Sequence, residues 1–288
     1  MSDKAYSEVI ELNFSEIVTN SLTPSTIITH SANMAIKYFN RYYWPLFDRM
    51  DKKGVAFEPH KWSISVFNTK TNFPKDRNLL FVTKALSARN RNSLLFFTEI
   101  FDPINPFKII ARCSIETKEA KIESDWLGEY EDADKPIRSD VAELTDETKD
   151  NAKVINIHEI LRNIDNQGEW IGAVETQHFC LPEYCEFVGL GAMSKIAGVV
   201  TANGKLTLLK WARENNLALP LLDKLRAKTN YLNWNFWADR INTFWQYDEI
   251  VVKSYCMVVK NKIYLKHLTY MKAPKILTNT FIEEYSFV

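Results

Sequence analysis

ANMAIKYFNRYYWPLFDRM, residues 32–50, is the stretch on which the reading of the fold turns. Ala32, Ala35, Ile36, Phe39, Tyr43, Leu46 and Phe47 recur at helical spacing, which predicts a helix with one apolar face. Pro45 falls late in it and predicts a kink or an early end, because proline has no N–H and its ring clashes with the preceding turn. Before this helix, residues 6–20 (YSEVIELNFSEIVTN) interleave β-branched and polar residues as a strand does, and Pro24 and Ser25 punctuate the join. After it come four long strand signals, at residues 62–73, 79–88, 93–101 and 108–118. Arg89-Asn90-Arg91-Asn92 reads as a hairpin turn, and Asp102-Pro103 through Asn105-Pro106 as another.

The same order recurs in the second half, as a weak internal repeat. Residues 169–179 (EWIGAVETQHF) read as a strand, and Pro182 punctuates as Pro24 does. Residues 189–211 carry a helical run, AMSKIAGVV, with a second helical piece, KLTLLKWAREN, expected after Asn203-Gly204. Strands resume at residues 231–244, 249–260, 262–271 and 275–285, with a tight turn at Asn261. Between the halves, residues 116–151 are rich in Asp and Glu and poor in large aliphatics, which predicts a solvated linker. The expected division is residues 1–122, a linker over 123–160, and residues 161–288. One long helix wrapped by a curved antiparallel sheet explains the order in each half, and two such sheets laid edge to edge would hide each other's edges.

Composition narrows the classes of function. The chain has 288 residues, with 36 Lys plus Arg against 36 Asp plus Glu, so the formal net charge is zero. A protein held on nucleic acid by bulk charge needs a basic excess that is absent here. Aromatic residues make up 13%, enough to bury large apolar surfaces, while 8 Gly and 10 Pro exclude a low-complexity chain. Four Cys do not make a disulfide scaffold in a chain this long. MSDKAYSEVIELNF has no basic region followed by an apolar run, and no stretch approaches about 18 apolar residues. The expectation is a cytoplasmic protein with reduced thiols, no membrane partner and no nucleic-acid partner.

The run His30-Ser31-Ala32-Asn33-Met34-Ala35-Ile36-Lys37-Tyr38-Phe39 resembles the H-x-N-N-x-x-Y opening of the central helix in hotdog-fold acyl-thioester enzymes. Phe73-Pro74-Lys75-Asp76 stands where many relatives carry a Gly-Asp turn. In the second half, Pro182-Glu183-Tyr184-Cys185-Glu186-Phe187-Val188-Gly189-Leu190-Gly191 opens the second helix. That phrase, with Asp239-Arg240 through Phe244-Trp245, resembles double-hotdog proteins of polyketide gene clusters, the leinamycin-type acyltransferase/decarboxylases. The resemblance implies an α+β double hotdog, with two curved antiparallel sheets each wrapped around a long helix. It implies an enzyme acting on acyl thioesters of coenzyme A or an acyl carrier protein. Acyl transfer with decarboxylation comes first, dehydration or thioester hydrolysis second, and a catalytically silent acyl- or carrier-binding protein is the rival. Coenzyme A or phosphopantetheine would be substrate, with no separate cofactor, and a monomer or homodimer is expected. The chain departs from the pattern at Glu186-Phe187-Val188-Gly189, where an Asp-Phe-Asn-Gly-like phrase is expected. The family's tyrosine nucleophile falls on no single residue: Tyr38, Tyr42 and Tyr43 lie on the first helix, and the following strand carries Phe67 and Asn68.

The chemistry such a site needs can be assigned residue by residue. A thioester carbonyl needs backbone N–H groups at a helix start, offered near Ala32-Asn33 and near Gly189 to Gly191. Glycine at the second place would admit substrate to the backbone, or would simply let helix and sheet pack closely. His30 and Asn33 are expected at the first helix entrance, as acid or base and as carbonyl or water positioner, or else as cap and surface residue. Asn68 is a further candidate on the strand that follows. His178, with Glu186 beyond it, resembles the His and acid pair of dehydratase hotdogs, and Tyr184 could donate to an enolate; each also has an ordinary structural reading.

Other motifs weigh little. His178, Cys180 and Cys185 lack the fourth ligand and the C-x-x-C pairs of structural zinc, so no metal is expected. Gly189-Leu190-Gly191 begins like a dinucleotide fingerprint, but Ser194 replaces its third glycine. No G-x-S-x-G and no Walker loop occurs. Lys210 and Arg213 belong to a basic stretch that also includes Lys205, Lys224, Arg226 and Lys228. It could bind the phosphates of coenzyme A or an acidic carrier protein, or could be a solvated face. The aromatic run at residues 231–237 fits a packed strand better than a base-stacking platform.

Overall fold

The computed structural model describes residues 5–13, 17–18, 21–22, 24–42, 55–67, 78–87, 93–105, 107–121, 156–185, 191–217 and 231–287. The first half runs β1 (Tyr6–Glu11), α1 (Pro24–Tyr42), β2 (Val55–Phe67), β3 (Asn78–Ser87), β4 (Ser93–Phe101) and β5 (Ile109–Lys121). Helix α2 (Ile157–Asp165) follows. The second half runs β6 (Ile171–Phe179), α3 (Met193–Glu214), β7 (Tyr231–Arg240), β8 (Glu249–Val259), β9 (Lys262–Met271) and β10 (Ile276–Phe287). A two-residue ribbon, Ile17–Val18 against Ser21–Leu22, precedes α1.

All ten strands join in one antiparallel sheet, ordered β1-β3-β4-β5-β2-β7-β10-β9-β8-β6. Each half contributes five strands in the same internal order, and the halves meet where β2 pairs with β7. The seam pairs Trp62 with Ala238, Ser63 with Trp237 and Ile64 with Phe236. A pseudo-twofold axis therefore passes through the Ser63–Trp237 pair, and the repeat seen in the sequence is a symmetry of the molecule. The sheet closes each half's open edge with the other half, which removes two edges from solvent. The architecture is an α+β double hotdog.

Burial sorts the two faces. In β2, Trp62, Ile64 and Val66 are buried at every second position, as are Trp234, Phe236 and Ala238 in β7. These side chains face the central helices. On α1, Ile27, Ile28, Ser31, Met34, Ala35 and Tyr38 are buried at i, i+3 and i+4 spacing. Helix α1 lies mainly on β3, helix α3 lies on β8 and β6, and the two helices touch each other. The other face of the second half is covered by α2. Its Ile157 and Ile164 pack on Met257, Tyr264 and Ile282, with Trp237 and Trp170 beside them. Asn156 caps α2 by accepting from the backbone N–H of His158 at 3.1 Å.

Several boundaries differ from the sequence reading. Helix α1 begins at Pro24, eight residues before Ala32. Proline suits the first turn, where its missing N–H bonds nothing within the helix. The first strand ends at Glu11, and Leu12 then turns into the core. The strand expected at residues 62–73 runs Val55–Phe67, starting well before the predicted position. Helix α3 is continuous through Asn203-Gly204, with no second piece. Helix α2 begins inside the stretch read as an acidic linker. Pro45, the hairpin at Arg89–Asn92 and the Phe73–Asp76 phrase lie outside the described residues. The expected turn at Asn261 is present, with Lys260 at φ 50° beside it.

Candidate functional site

The beginning of α3 gathers several of the residues singled out in the sequence. Strand β6 alternates, so Val174, Thr176 and His178 share the face that α3 covers, and Cys180 ends it in the core. A 3-10 turn, Pro182–Tyr184, follows. Tyr184 is half-buried, and its carbonyl accepts from the N–H of Ala192 at 2.8 Å. Cys185 bridges to Gly191, which closes this turn against the helix start. His178 is half-buried, and its Nε2 lies 2.9 Å from Thr176 Oγ1. Burial lowers its pKa below the ordinary histidine value, which favours the neutral imidazole, the form that can accept a proton.

Gly191 is held from three sides. Its N–H donates to the carbonyl of Phe244 at 2.9 Å, and its carbonyl accepts from Arg240 Nη2 at 2.6 Å. A Cβ here would lie 1.9 Å from the Phe244 ring, so no larger residue fits without moving that ring. This glycine serves close packing, and its own N–H is occupied. The buried Arg240 lies over Phe244 and ties β7 to the entry of α3. In the sequence Arg240 stands only as part of the Asp239-Arg240 phrase.

The first half does not assemble the expected counterpart. Because α1 starts at Pro24, Ala32 and Asn33 lie in its third turn, and their N–H groups are used by the helix. His30 and Asn33 are therefore not at a helix entrance. His30 is half-buried with its ring 5.7 Å from Phe81, and Asn33 is exposed. Lys210 and Arg213 are exposed near the far end of α3, ~25 Å along the axis from Met193 at 1.5 Å per residue. Asn68, Glu186 and Gly189 lie outside the described residues. Among the described residues no group of three or more His, Cys, Asp or Glu could hold a metal ion.

A second constellation has no motif in the sequence. Beneath the middle of α3, ~15 Å from its start, a chain of polar side chains crosses the core of the second half. Asn203 Nδ2 donates to Ser254 Oγ at 2.9 Å. Ser254 Oγ lies 2.8 Å from His267 Nδ1, and His267 Nε2 lies 3.2 Å from Glu283 Oε1. Glu283 Oε2 accepts from Tyr285 at 2.6 Å and from Trp234 Nε1 at 3.2 Å. An ionised carboxylate only accepts, so the imidazole proton sits on Nε2 and Nδ1 accepts from Ser254. Ser254, His267 and Glu283 are fully buried. Burial pushes the Glu283 pKa up, but the bonds from His267 and Tyr285 and the charge of Lys205 outweigh it and hold the group below the ordinary carboxylate range. Gly204 makes room for this chain: a Cβ there would lie 2.4 Å from His267 Cε1.

The pseudo-twofold identifies what stands in these places in the first half. Ser254 pairs with His267 as Thr83 pairs with Thr98. Glu283 pairs with Phe236 as Ile115 pairs with Trp62. Helix residues Ile196, Ala197, Asn203, Gly204 and Thr207 repeat the buried spacing of Ile27, Ile28, Met34, Ala35 and Tyr38. The counterparts of Asn203, Ser254, His267 and Glu283 are therefore Met34, Thr83, Thr98 and Ile115. Only the Thr83–Thr98 contact, at 2.8 Å, is polar there. The fold does not demand the polar chain, since the other half builds the same layer from Met34, Ile115 and a single threonine pair. In sequence its members are single residues on separate strands with no shared motif, and only the register brings them together.

No protein-family model matches the chain, and no curated protein matches it in sequence. Solved structures do match its fold along its full length. A protein described as an oleoyl thioesterase from Lactobacillus plantarum aligns at 10% identity and TM-score 0.66, covering 100% of this chain and 98% of that one. The 12:0-ACP thioesterase from Umbellularia californica aligns at 9% identity and TM-score 0.63, covering 99% and 94%. An acyl-ACP thioesterase from Bacteroides thetaiotaomicron aligns at 10% identity and TM-score 0.54, covering 100% of both chains. At such identities the likeness is one of fold.

Proposed function

We propose that this chain binds acyl thioesters of coenzyme A or an acyl carrier protein and hydrolyses them at the start of α3. The observation that carries this reading is a double hotdog matched from end to end, both halves included, by structures described as thioesterases. Hydrolysis is preferred to the decarboxylative acyl transfer expected from the sequence. The structures that match the chain from end to end are described as thioesterases, and Tyr38, one of the tyrosines of α1, is packed in the core against Phe96. Hydrolysis needs only a base for water and donors for the carbonyl oxygen.

In this reading the thioester carbonyl lies against the first turn of α3, where the helix dipole favours the developing oxyanion. Neutral His178 takes a proton from water as the water oxygen attacks the carbonyl carbon. The carbon–sulfur bond breaks as the tetrahedral intermediate collapses, and the His178 imidazolium returns the proton to the departing thiolate. Tyr184, in the turn that leads into α3, is the second side chain assigned to this site. Arg240 acts through Gly191 as a positioning residue. Lys210 and Arg213, at the far end of α3, are left to carrier docking.

The test is thiol release from a panel of acyl-coenzyme A and acyl-carrier thioesters, with His178→Ala as control. Release that falls at least tenfold in the variant, with thermal stability kept, supports the reading. Binding of acyl thioesters without release by the wild-type chain would make it a silent binding protein. A covalent acyl increment on the intact chain would restore acyl transfer.

A further inference from the structure

The two cysteines that bracket the turn before α3 lie in contact, with Cys180 Sγ 3.5 Å from Cys185 Sγ. Both are free thiols, Cys180 buried and Cys185 partly exposed. The backbone around each is tied down. The N–H of Cys180 donates to Asp248 O at 2.8 Å, and its carbonyl accepts from Tyr247 at 2.7 Å. The N–H of Cys185 donates to Pro182 O at 3.1 Å, and Cys185 bridges to Gly191. The other two cysteines, Cys113 and Cys256, are buried in the cores of the first and second halves. The sequence singled out Cys180 and Cys185 as poor metal ligands, and the proposed hydrolysis gives them no work.

We propose that Cys180 and Cys185 form an oxidisable dithiol, converted by a hydroperoxide to an intramolecular disulfide that clasps the turn leading into α3. The sulfur of Cys185 attacks a peroxide oxygen; an S–O bond forms, the O–O bond breaks and water leaves. Cys185 is now a sulfenic acid, oxidised by two electrons. The sulfur of Cys180 attacks it; the S–S bond forms, the S–O bond breaks, and the departing hydroxide takes the Cys180 proton as a second water. Hydrogen peroxide is thereby reduced to water while the two thiols are oxidised. Access sets the order. Cys185 meets solvent first, whereas burial, with the hydrogen bond to Cys185 second, pushes the Cys180 thiol up to about 12, so it holds its proton until its neighbour is activated. The sulfurs must close by about 1.5 Å to reach bonding distance.

The consequence is local and stands apart from the hydrolysis reading. The turn that accepts the N–H of Ala192 on Tyr184 becomes a closed loop, so the entry to α3 loses its freedom to open. The test treats the reduced full-length chain with hydrogen peroxide and then alkylates the remaining thiols. The expected product lacks two hydrogens and alkylates at two of its four cysteines. Cleavage after glutamate cuts at Glu183, between the pair, and yields two peptides joined until reduced. Amide exchange at Tyr184, Cys185 and Ala192 slows by about tenfold in the oxidised chain, since local opening governs exchange. Cys113→Ser behaves as the wild type, and Cys185→Ser forms no internal disulfide. Alkylation of all four thiols after peroxide, a Cys185 that gains two oxygens without linking, or a linkage to Cys113 or Cys256 would each overturn the proposal.

Discussion

Replacing Glu283 by isoleucine, the residue its counterpart Ile115 supplies in the first half, isolates the worth of the buried polar chain. The carboxylate takes hydrogen bonds from His267, Tyr285 and Trp234. Removing it leaves up to three donors without their acceptor, each costing about 1–3 kcal/mol when buried. Tyr285 is only part-buried and can turn to water, so the lower part of the sum applies. Glu283→Ile should therefore lose about 3–5 kcal/mol in urea unfolding followed by tryptophan fluorescence at pH 7. The same argument requires a rescue. Combining Asn203→Met, Ser254→Thr, His267→Thr and Glu283→Ile copies the first half's layer and removes donors and acceptors together. That variant should stand within about 2 kcal/mol of the wild type, the remaining cost being the Trp234 N–H. A single variant that loses less than about 1 kcal/mol, or a fourfold variant as unstable as the sum of its parts, would refute the reasoning.

Further consequences follow from the same geometry. Because the folded Glu283 pKa is lowered, its contribution to stability is complete above its unfolded pKa and is lost as pH falls through the folded value. The gap between wild type and Glu283→Gln in urea unfolding should thus be widest near neutral pH and shrink on acidification. Gly191→Ala, which sets a Cβ 1.9 Å from Phe244, should cost about 1–3 kcal/mol and shift Tm accordingly, with recovery in the double variant carrying Phe244→Leu. If His178 is the base, its burial-lowered pKa should appear as the acid limb of kcat/KM against pH, with a midpoint below the ordinary histidine value. The exposed pair of Lys37 with Glu8 should matter little: Glu8→Gln should leave the urea midpoint nearly unchanged.

The order of elements was legible in the chain because hydrophobic period is a local property. The apolar run Ser93–Phe101 and the pattern of Lys262–Met271 located those strands to the residue, and the recurrence of strand, helix and strands exposed the two halves. Helix α1 shows the limit of that signal. Thr26 to Ser31 are unremarkable by composition, yet Ile27, Ile28 and Ser31 join the helix because the curved sheet buries them. That shift moves His30 and Asn33 from a helix entrance to its interior, and with it their chemistry. Helix α2 carries Ile157, Ile160, Leu161 and Ile164 at helical spacing, but it follows directly on an acidic stretch whose composition reads as linker, and its packing on Met257, Tyr264 and Ile282 separates the two.

What the sequence by itself determined is the repeat, the element types and the two-layer plan, all encoded by the spacing of apolar residues along the chain. What only the tertiary structure decided is which distant residues meet. Strand register set Ser254 beside His267 and His267 beside Glu283. The turn before α3 set Cys180 against Cys185, and Arg240 reached across to Gly191. Such contacts depend on register and helix rotation, where a shift of one residue sends a side chain to the opposite face, and no local pattern records that choice.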